Sequence, residues 1–253
     1  MVKHTVRAML SNQTSTQFTK FLLSNPPPAF LYEFVNKAYC HHTTFNIIPC
    51  KIIALSLYIW TKCTISLPAQ MLKTDLSIYN NYPYNPGGNA LKRILWYYFN
   101  AVFFKTSIIP SSAFKVFCLK LFGARIGKHV TIKPCVNIKY PWNLRIGDET
   151  WVGENVWIDS LVLIDIGANV CLSQGAILLT GSHNYKRKSF DLITKGIILE
   201  DGVWICAGAM VNPGITAASH AVLTSGSIAT NNLDAYGIYQ GNPAIKIRTR
   251  EIS

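Results

Sequence analysis

The sequence predicts a mainly β protein wound as a single-stranded parallel β-helix, and three observations within residues 126–229 carry that prediction. The first is a period of six. Ile126, Ile132, Ile138 and Leu144 keep one phase, and after a two-residue slip Ile146, Val152, Ile158 and Ile164 keep the next. Ile166, Leu172 and Leu178 follow a second slip, and Leu199, Ile205, Val211 and Leu223 resume beyond an interruption. The second is a companion series of small or β-branched residues two positions ahead, among them Val130, Val136, Val156, Val170, Val203 and Ala209. The third is glycine directly after the aliphatic residue, in Ile126-Gly127, Ile146-Gly147, Val152-Gly153 and Ile166-Gly167. A helix repeats about every 3.6 residues and a strand every two, so neither yields this beat. A repeated turn-strand unit does, with three flat sides and roughly eighteen residues to a coil. The chain provides about five such coils, with aliphatic side chains inside and Gly, Asn and Asp at corners that need positive φ.

Composition narrows the class of protein. With 253 residues the chain can fill one large domain or two small ones. It is 49% hydrophobic and 14% charged, which argues against wholesale disorder. The formal net charge of +12 suits an anionic partner such as a phosphorylated cofactor, a membrane surface or an acidic glycan; a merely basic surface fits equally well. No RRM, zinc-finger or helix-turn-helix signature points to nucleic acid, so no nucleic-acid partner is expected. The seven cysteines are scattered without a C-x-x-C pair, which fits reduced thiols in a cytoplasmic protein. Cys135, Cys171 and Cys206 fall among the hexads and are expected as small core or stacking residues.

Along the chain, residues 1–70 differ from the rest. They contain no Gly, a single acid (Glu33) and the run Pro26 to Pro28, and they read as a poorly structured or non-native extension. An apolar patch at 45–60 is broken by Pro49 and Lys51; it is short for a membrane span, and a membrane anchor there stays an option. Residues 71–123 read as a loop and a helical cap. The stretch 76–88 is rich in Tyr, Asn, Pro and Gly, Asn89 is placed to cap an apolar helix, and Ser111 introduces a second helix over 112–122 that Gly123 ends. In that second helix Phe114, Phe117, Leu119 and Leu121 are apolar and Lys115 and Lys120 polar. The helices would shield an open end of the solenoid; their aromatic, Lys-bearing surface also suits peripheral attachment to a membrane. Residues 124–253 form the β-helix. Its phase is lost over 182–197, where a loop is expelled from the coil, and Ala217-Ala218 replaces aliphatic-Gly, suggesting a slightly strained corner. The stretch 236–253 reads as a turn and a basic tail.

Several stretches, N-P-G-G-N (85–89), L-F-G-A-R-I-G (121–127), Y-P-W-N-L (140–144), W-V-G-E-N-V-W-I-D-S (151–160), L-L-T-G-S-H-N-Y (178–185), E-D-G-V-W-I-C-A-G-A (200–209) and Q-G-N-P-A (240–244), resemble the hexapeptide-repeat acyltransferases. Within that family the sequence is most similar to the colanic acid biosynthesis acetyltransferases, which are sugar O-acetyltransferases. The resemblance covers residues 72–250. It implies a left-handed coil, a homotrimer, and acetyl-CoA meeting an acceptor in clefts between subunits. The expected activity is O-acetylation of a sugar hydroxyl in exopolysaccharide or other surface-glycan synthesis, by direct transfer in a ternary complex.

Such a transfer needs a base for the hydroxyl proton, a stabilised oxyanion and two substrates held together. His183, in the T-G-S-H stretch, is the candidate catalytic base because imidazole titrates near neutral pH. The family often has an acid after this His; here Asn184 stands there, so the group orienting the ring is open, a backbone carbonyl being one choice. Asp159 is a candidate for binding acceptor hydroxyls or orienting His183, or else a corner Asp bonding its own turn. Ser160, Asn184 and Tyr185 are further acceptor-binding candidates. For the cofactor, the resemblance points to Trp204 at a corner, to small residues Ala207, Gly208, Ser225 and Gly226 that let pantetheine approach, to Asn242 and Pro243 near the adenine, and to Lys246 and Arg248 for phosphates. Asn231 stands where many relatives carry Lys. The run Lys186-Arg187-Lys188 suits an acidic glycan or a nucleotide-linked sugar, with a solvated charge cluster the favoured reading. His129, His183 and His220 do not match the spacing of a β-helix zinc carbonic anhydrase, so no metal is expected. Amino sugars, serine or antibiotics remain alternative acceptors, and a non-catalytic structural β-helix is the alternative of another class.

Overall fold

A computed structural model describes residues 73–253. The expectations for residues 1–70 lie outside the described residues. The hexads fold as strands of two or three residues joined by turns, three to a coil. The first coil holds β1 (Arg125–Ile126), β2 (Thr131–Ile132) and β3 (Asn137–Ile138); the second β4 (Leu144–Ile146), β5 (Trp151–Val152) and β6 (Trp157–Asp159); the third β7 (Ile164–Ile166), β8 (Cys171–Leu172) and β9 (Ile177–Leu179). A hairpin, β10 (Gly181–His183) and β11 (Leu192–Thr194), interrupts the winding. The fourth coil is β12 (Ile197–Leu199), β13 (Trp204–Ile205) and β14 (Met210–Val211), and the fifth β15 (Thr216–Ala217), β16 (Val222–Leu223) and β17 (Ile228–Ala229). Each strand pairs in parallel with its counterpart one coil away, giving three sheets: β1-β4-β7-β12-β15, β2-β5-β8-β13-β16-β18 and β3-β6-β9-β14-β17. A partial sixth turn contributes β18 (Gly237–Gly241), and β19 (Ala244–Thr249) pairs antiparallel with it, so the expected basic tail is an edge strand.

Coil length differs from the expected eighteen. Arg125 pairs with Arg145 and Leu144 with Ile164, a twenty-residue repeat, whereas Trp204 pairs with Val222 at eighteen. The two extra residues are the slips in the hexad phase. In the first coil the slip is absorbed by the 3-10 turn Pro141–Asn143. The aliphatic series is the core, with Ile132, Ile138, Ile158, Ile164, Leu178, Ile205, Val211 and Leu223 all at 0% exposure.

Two corners stack as ladders of backbone hydrogen bonds. At the first, positive φ falls on His129, Glu149, Asn169, Gly202, His220 and Tyr236; at the second, on Cys135, Asn155, Gly175, Gly208 and Gly226. Cys135 is therefore a corner residue, not core. Gly127, Gly147, Gly153 and Gly167 have ordinary φ. They are glycines because the next coil lies against them: a Cβ on Gly147 would sit 2.5 Å from the Ala168 nitrogen. Ala217 is fully buried, and the strained corner beside it is His220.

The N-terminal end is closed by helices. In α1 (Ala90–Phe99) Asn89 Oδ1 accepts from the Lys92 amide, and a π-helical turn, Asn100–Phe104, follows. Ser111 caps α2 (Ser112–Leu121), and Gly123, at φ +97°, follows its end. The first coil has no strand before it, so its backbone groups need other partners. The cap provides them. Trp96 Nε1 donates to the Ile138 carbonyl at 2.9 Å, Asn100 Oδ1 accepts from the Ile138 amide, and Ser112 Oγ bonds both Ile132 N and O. Lys115, polar in an otherwise apolar helix, is fully buried, with Nζ donating to the Lys133 carbonyl at 2.8 Å. Among the described residues no helix is long and apolar enough to cross a membrane.

Candidate active site

The candidate base His183 lies beyond the third corner. After β9 the chain leaves the coil at Thr180, whose buried hydroxyl donates to the Asp159 carbonyl and accepts from the Leu161 amide. The β10–β11 hairpin then aligns His183 with Leu192 and returns the chain to β12. His183 is half-buried. Its Nδ1 lies 3.0 Å from the Phe190 carbonyl, and its ring stacks on Phe190 at 4.5 Å and 8°. A carbonyl only accepts, so this bond places the proton on Nδ1 and leaves Nε2 with a free lone pair.

A strap absent from the sequence-based expectations holds the hairpin. The Asp75 amide donates to the Lys188 carbonyl at 2.8 Å, and Asp75 pairs with Lys188 Nζ at 3.3 Å. Tyr79 packs on the His183 ring at 5.8 Å, and Tyr84 Oη donates to the Leu161 carbonyl. The Tyr-rich composition of 76–88 was the only signal for this, and it reads equally as loop.

Asp159 is half-buried, near Gly181, and burial holds its carboxyl above the usual range, partly offset by Lys139. The nearby Tyr84 phenol is pushed far up by burial, with Tyr140 and Asp159 adding to the effect. Ser160 is not available to an acceptor. It is fully buried, and its hydroxyl donates to the Tyr140 carbonyl and accepts from the Tyr140 amide, stapling two coils. Asn184 Oδ1 accepts from the Lys186 amide within the hairpin, and Tyr185 is 77% exposed. Arg187 pairs with Asp191 at 3.2 Å, so two of the three residues in the charged run have acidic partners.

The small residues gather at the second corner. Ala207-Gly208 and Ser225-Gly226 lie one above the other, the Gly226 amide donating to the Ala207 carbonyl, and a Cβ on Gly208 or Gly226 would meet nothing within 4 Å. The Gly241 amide donates to Ser227 Oγ, which brings Asn242 and Pro243 onto the same ridge. Trp204 lies on the flat of β13, not at a corner, half-exposed, with Nε1 donating to Ser173 Oγ at 2.9 Å. Lys246 is directed elsewhere: its Nζ pairs with Asp234 at 3.2 Å; Arg248, opposite Ile238 on β19, is exposed. Among the described residues no group of His, Cys, Asp and Glu is placed to hold a metal ion. A shallow open depression of about 640 Å³ lies beside Arg125, Arg145 and Asp165 on the first sheet, and His183 does not line it.

No family profile matches the chain. The colanic acid biosynthesis acetyltransferase WcaF of Escherichia coli (strain K12) is 39% identical over 164 residues, covering 65% of this chain and 90% of that relative. Among solved structures, a hexapeptide-repeat acetyltransferase from Vibrio cholerae O1 biovar eltor, complexed with acetyl coenzyme A, superposes with TM-score 0.58 at 22% identity, over 64% of this chain and 88% of that one. A galactoside acetyltransferase in complex with coenzyme A gives TM-score 0.54 at 26% identity, over 63% of this chain and 80% of that one. With that identity across nine-tenths of a relative, on a parallel coil of the same left-handed class, the chain belongs to the hexapeptide-repeat acetyltransferases.

Proposed function

We propose that the protein moves an acetyl group from acetyl-CoA to a sugar hydroxyl during synthesis of a surface glycan, with His183 as general base. The observation that carries this reading is the pairing of His183 Nδ1 with the Phe190 carbonyl, which leaves Nε2 as a proton acceptor at the mouth of the hairpin. Acetyl-CoA supplies the thioester. Nε2 takes the proton of the acceptor hydroxyl as that oxygen attacks the thioester carbonyl, and the Phe190 carbonyl stabilises the imidazolium that forms. When the C–S bond breaks, the imidazolium returns the proton to the departing sulfur, giving an acetate ester and free CoA thiol. Asp159, with Tyr84 beside it, is suited to bind acceptor hydroxyls, and Tyr185 stands free on the hairpin. The open ridge at Ala207-Gly208, Ser225-Gly226 and Asn242-Pro243 fits a pantetheine chain, with Trp204 on the neighbouring strand and Arg248 free for phosphate. The names of the colanic acid and galactoside relatives support a sugar acceptor.

The ridge precedes β14 and β17 and the hairpin follows β9, so the two lie at opposite ends of the strands of one sheet. The proposed ternary complex draws its donor from the ridge of a second copy set against the hairpin of the first. A head-to-tail contact of that kind closes into a ring, and the three-sided coil suits a homotrimer. The free thiols Cys118, Cys135, Cys171 and Cys206 support a cytoplasmic location. The test is release of free thiol from acetyl-CoA with a panel of glycan acceptors. His183→Ala is expected to lower turnover ~10²–10⁴-fold with an unchanged melting transition; near-normal turnover by that variant overturns the assignment.

A further inference from the structure

The side of the helical cap turned away from the coil is apolar where a water-facing helix would be polar. In α1, Leu91, Ile94, Leu95 and Tyr98 recur at one-turn spacing, and Val102 continues the stripe through the π-helical turn. All five are exposed, Leu91 and Tyr98 at 64% each. The opposite stripe, with Trp96, Phe99, Asn100 and Phe103, packs on the first coil. α2 repeats the arrangement: Cys118 and Leu119 are buried while Phe117 and Leu121 are 64% and 70% exposed. Helices that are apolar on both faces need something on the outer one.

Charge identifies what that is. Residues 76–143, which form the cap and the first coil, contain nine Lys and Arg and no Asp or Glu. Residues 144–253 contain eight Lys and Arg against ten acids. The positive charge of the described residues is thus concentrated at the cap end, with Lys105, Lys120, Arg125, Lys128 and Lys133 exposed. We propose that the cap docks on an anionic lipid bilayer, its apolar stripes set among the headgroups and its long basic side chains reaching their phosphates. A second copy is the poorer occupant, because two such faces meet with like charges and no acids between them. Residues 1–72 are also basic, with six Lys and Arg and one acid.

The full-length protein is sedimented with phosphatidylcholine vesicles, with and without phosphatidylglycerol. It is expected to bind only the anionic vesicles and to be released by salt. The double substitution Leu95→Gln, Tyr98→Gln is expected to weaken binding at least ~10-fold while the melting transition stays in place, since both positions face outward. The proposal is overturned by failure to bind anionic vesicles or by equal binding of the double variant. Light scattering gives a third contrary outcome, an assembly that the double substitution dissociates.

Discussion

Gly147 and Gly208 are both turn glycines in sequence, yet substituting each with Ala should have different consequences. At Gly147 the added Cβ would stand 2.5 Å from both the Ala168 nitrogen and the Gly167 carbonyl carbon, and 2.7 Å from the Gly167 oxygen. These are backbone atoms locked in the β4–β7 ladder, so no side chain can swing away. Ordinary contact needs about 3.5 Å, so the coils must part by about 1 Å beside the Gly147–Ile166 hydrogen bond of 2.7 Å. Overpacking of this kind costs about 1–3 kcal/mol and a weakened hydrogen bond about 1 more. At Gly208 a methyl meets open space, and the penalty is that of a non-glycine residue at φ +64°, about 1–2 kcal/mol, partly offset by the stiffer unfolded chain. For a chain of this size each kcal/mol moves Tm by about 2–4 °C. Taking about 3 kcal/mol for Gly147→Ala and about 1 kcal/mol for Gly208→Ala from these ranges, thermal melts followed by circular dichroism should drop by about 6–12 °C and about 2–4 °C respectively. Because Gly208 lines the proposed cofactor ridge, its variant should also raise KM for acetyl-CoA, while Gly147→Ala should not. Equal or reversed Tm shifts would refute the account of close coil contact.

Asp159 and Lys115 give pH-dependent outcomes of opposite sign. Burial raises the Asp159 carboxyl, so its contribution to stability is full below pH 3.8 and is lost as pH rises through the raised folded value. Asp159→Asn should flatten that part of the stability profile in urea titrations at stepped pH. Burial lowers the Lys115 ammonium, with Cys135 opposing, so the folded state releases its proton first and stability rises with pH toward 10.5. Lys115→Met should remove that rise. At high pH, where the amine is neutral, it should cost ~1–3 kcal/mol from the unpaired Lys133 carbonyl, and less near neutrality, where it also removes a buried charge.

The core of the coil was legible because a six-residue beat is a local property. An aliphatic side chain that must face inward on one flat side must do so again on the next, so Ile132, Leu178 and Leu223 identify themselves wherever they fall. The helix caps Asn89 and Ser111 and the departure near Ser182 were legible for the same reason, since each depends on a few neighbours. The burial of Lys115 was not legible. A lysine in a helix is ordinarily solvated, and only the unpaired Lys133 carbonyl of the first coil explains its burial.

Ser160 and the strap show the same division. Ser160 stands beside Asp159 in sequence, yet its hydroxyl is taken up by Tyr140, twenty residues away in the adjacent coil. Tyr79 reaches His183 across more than a hundred residues, and no period or motif connects them. Lys246 suits a phosphate by its charge, but Asp234 holds it. Period, caps and the position of the loop follow from interactions between residues near in the chain, and the amino-acid order alone settles them. Whether a polar side chain is free to do chemistry depends on which distant backbone edge or charge lies beside it once the coils stack, and that is decided only by the folded solenoid.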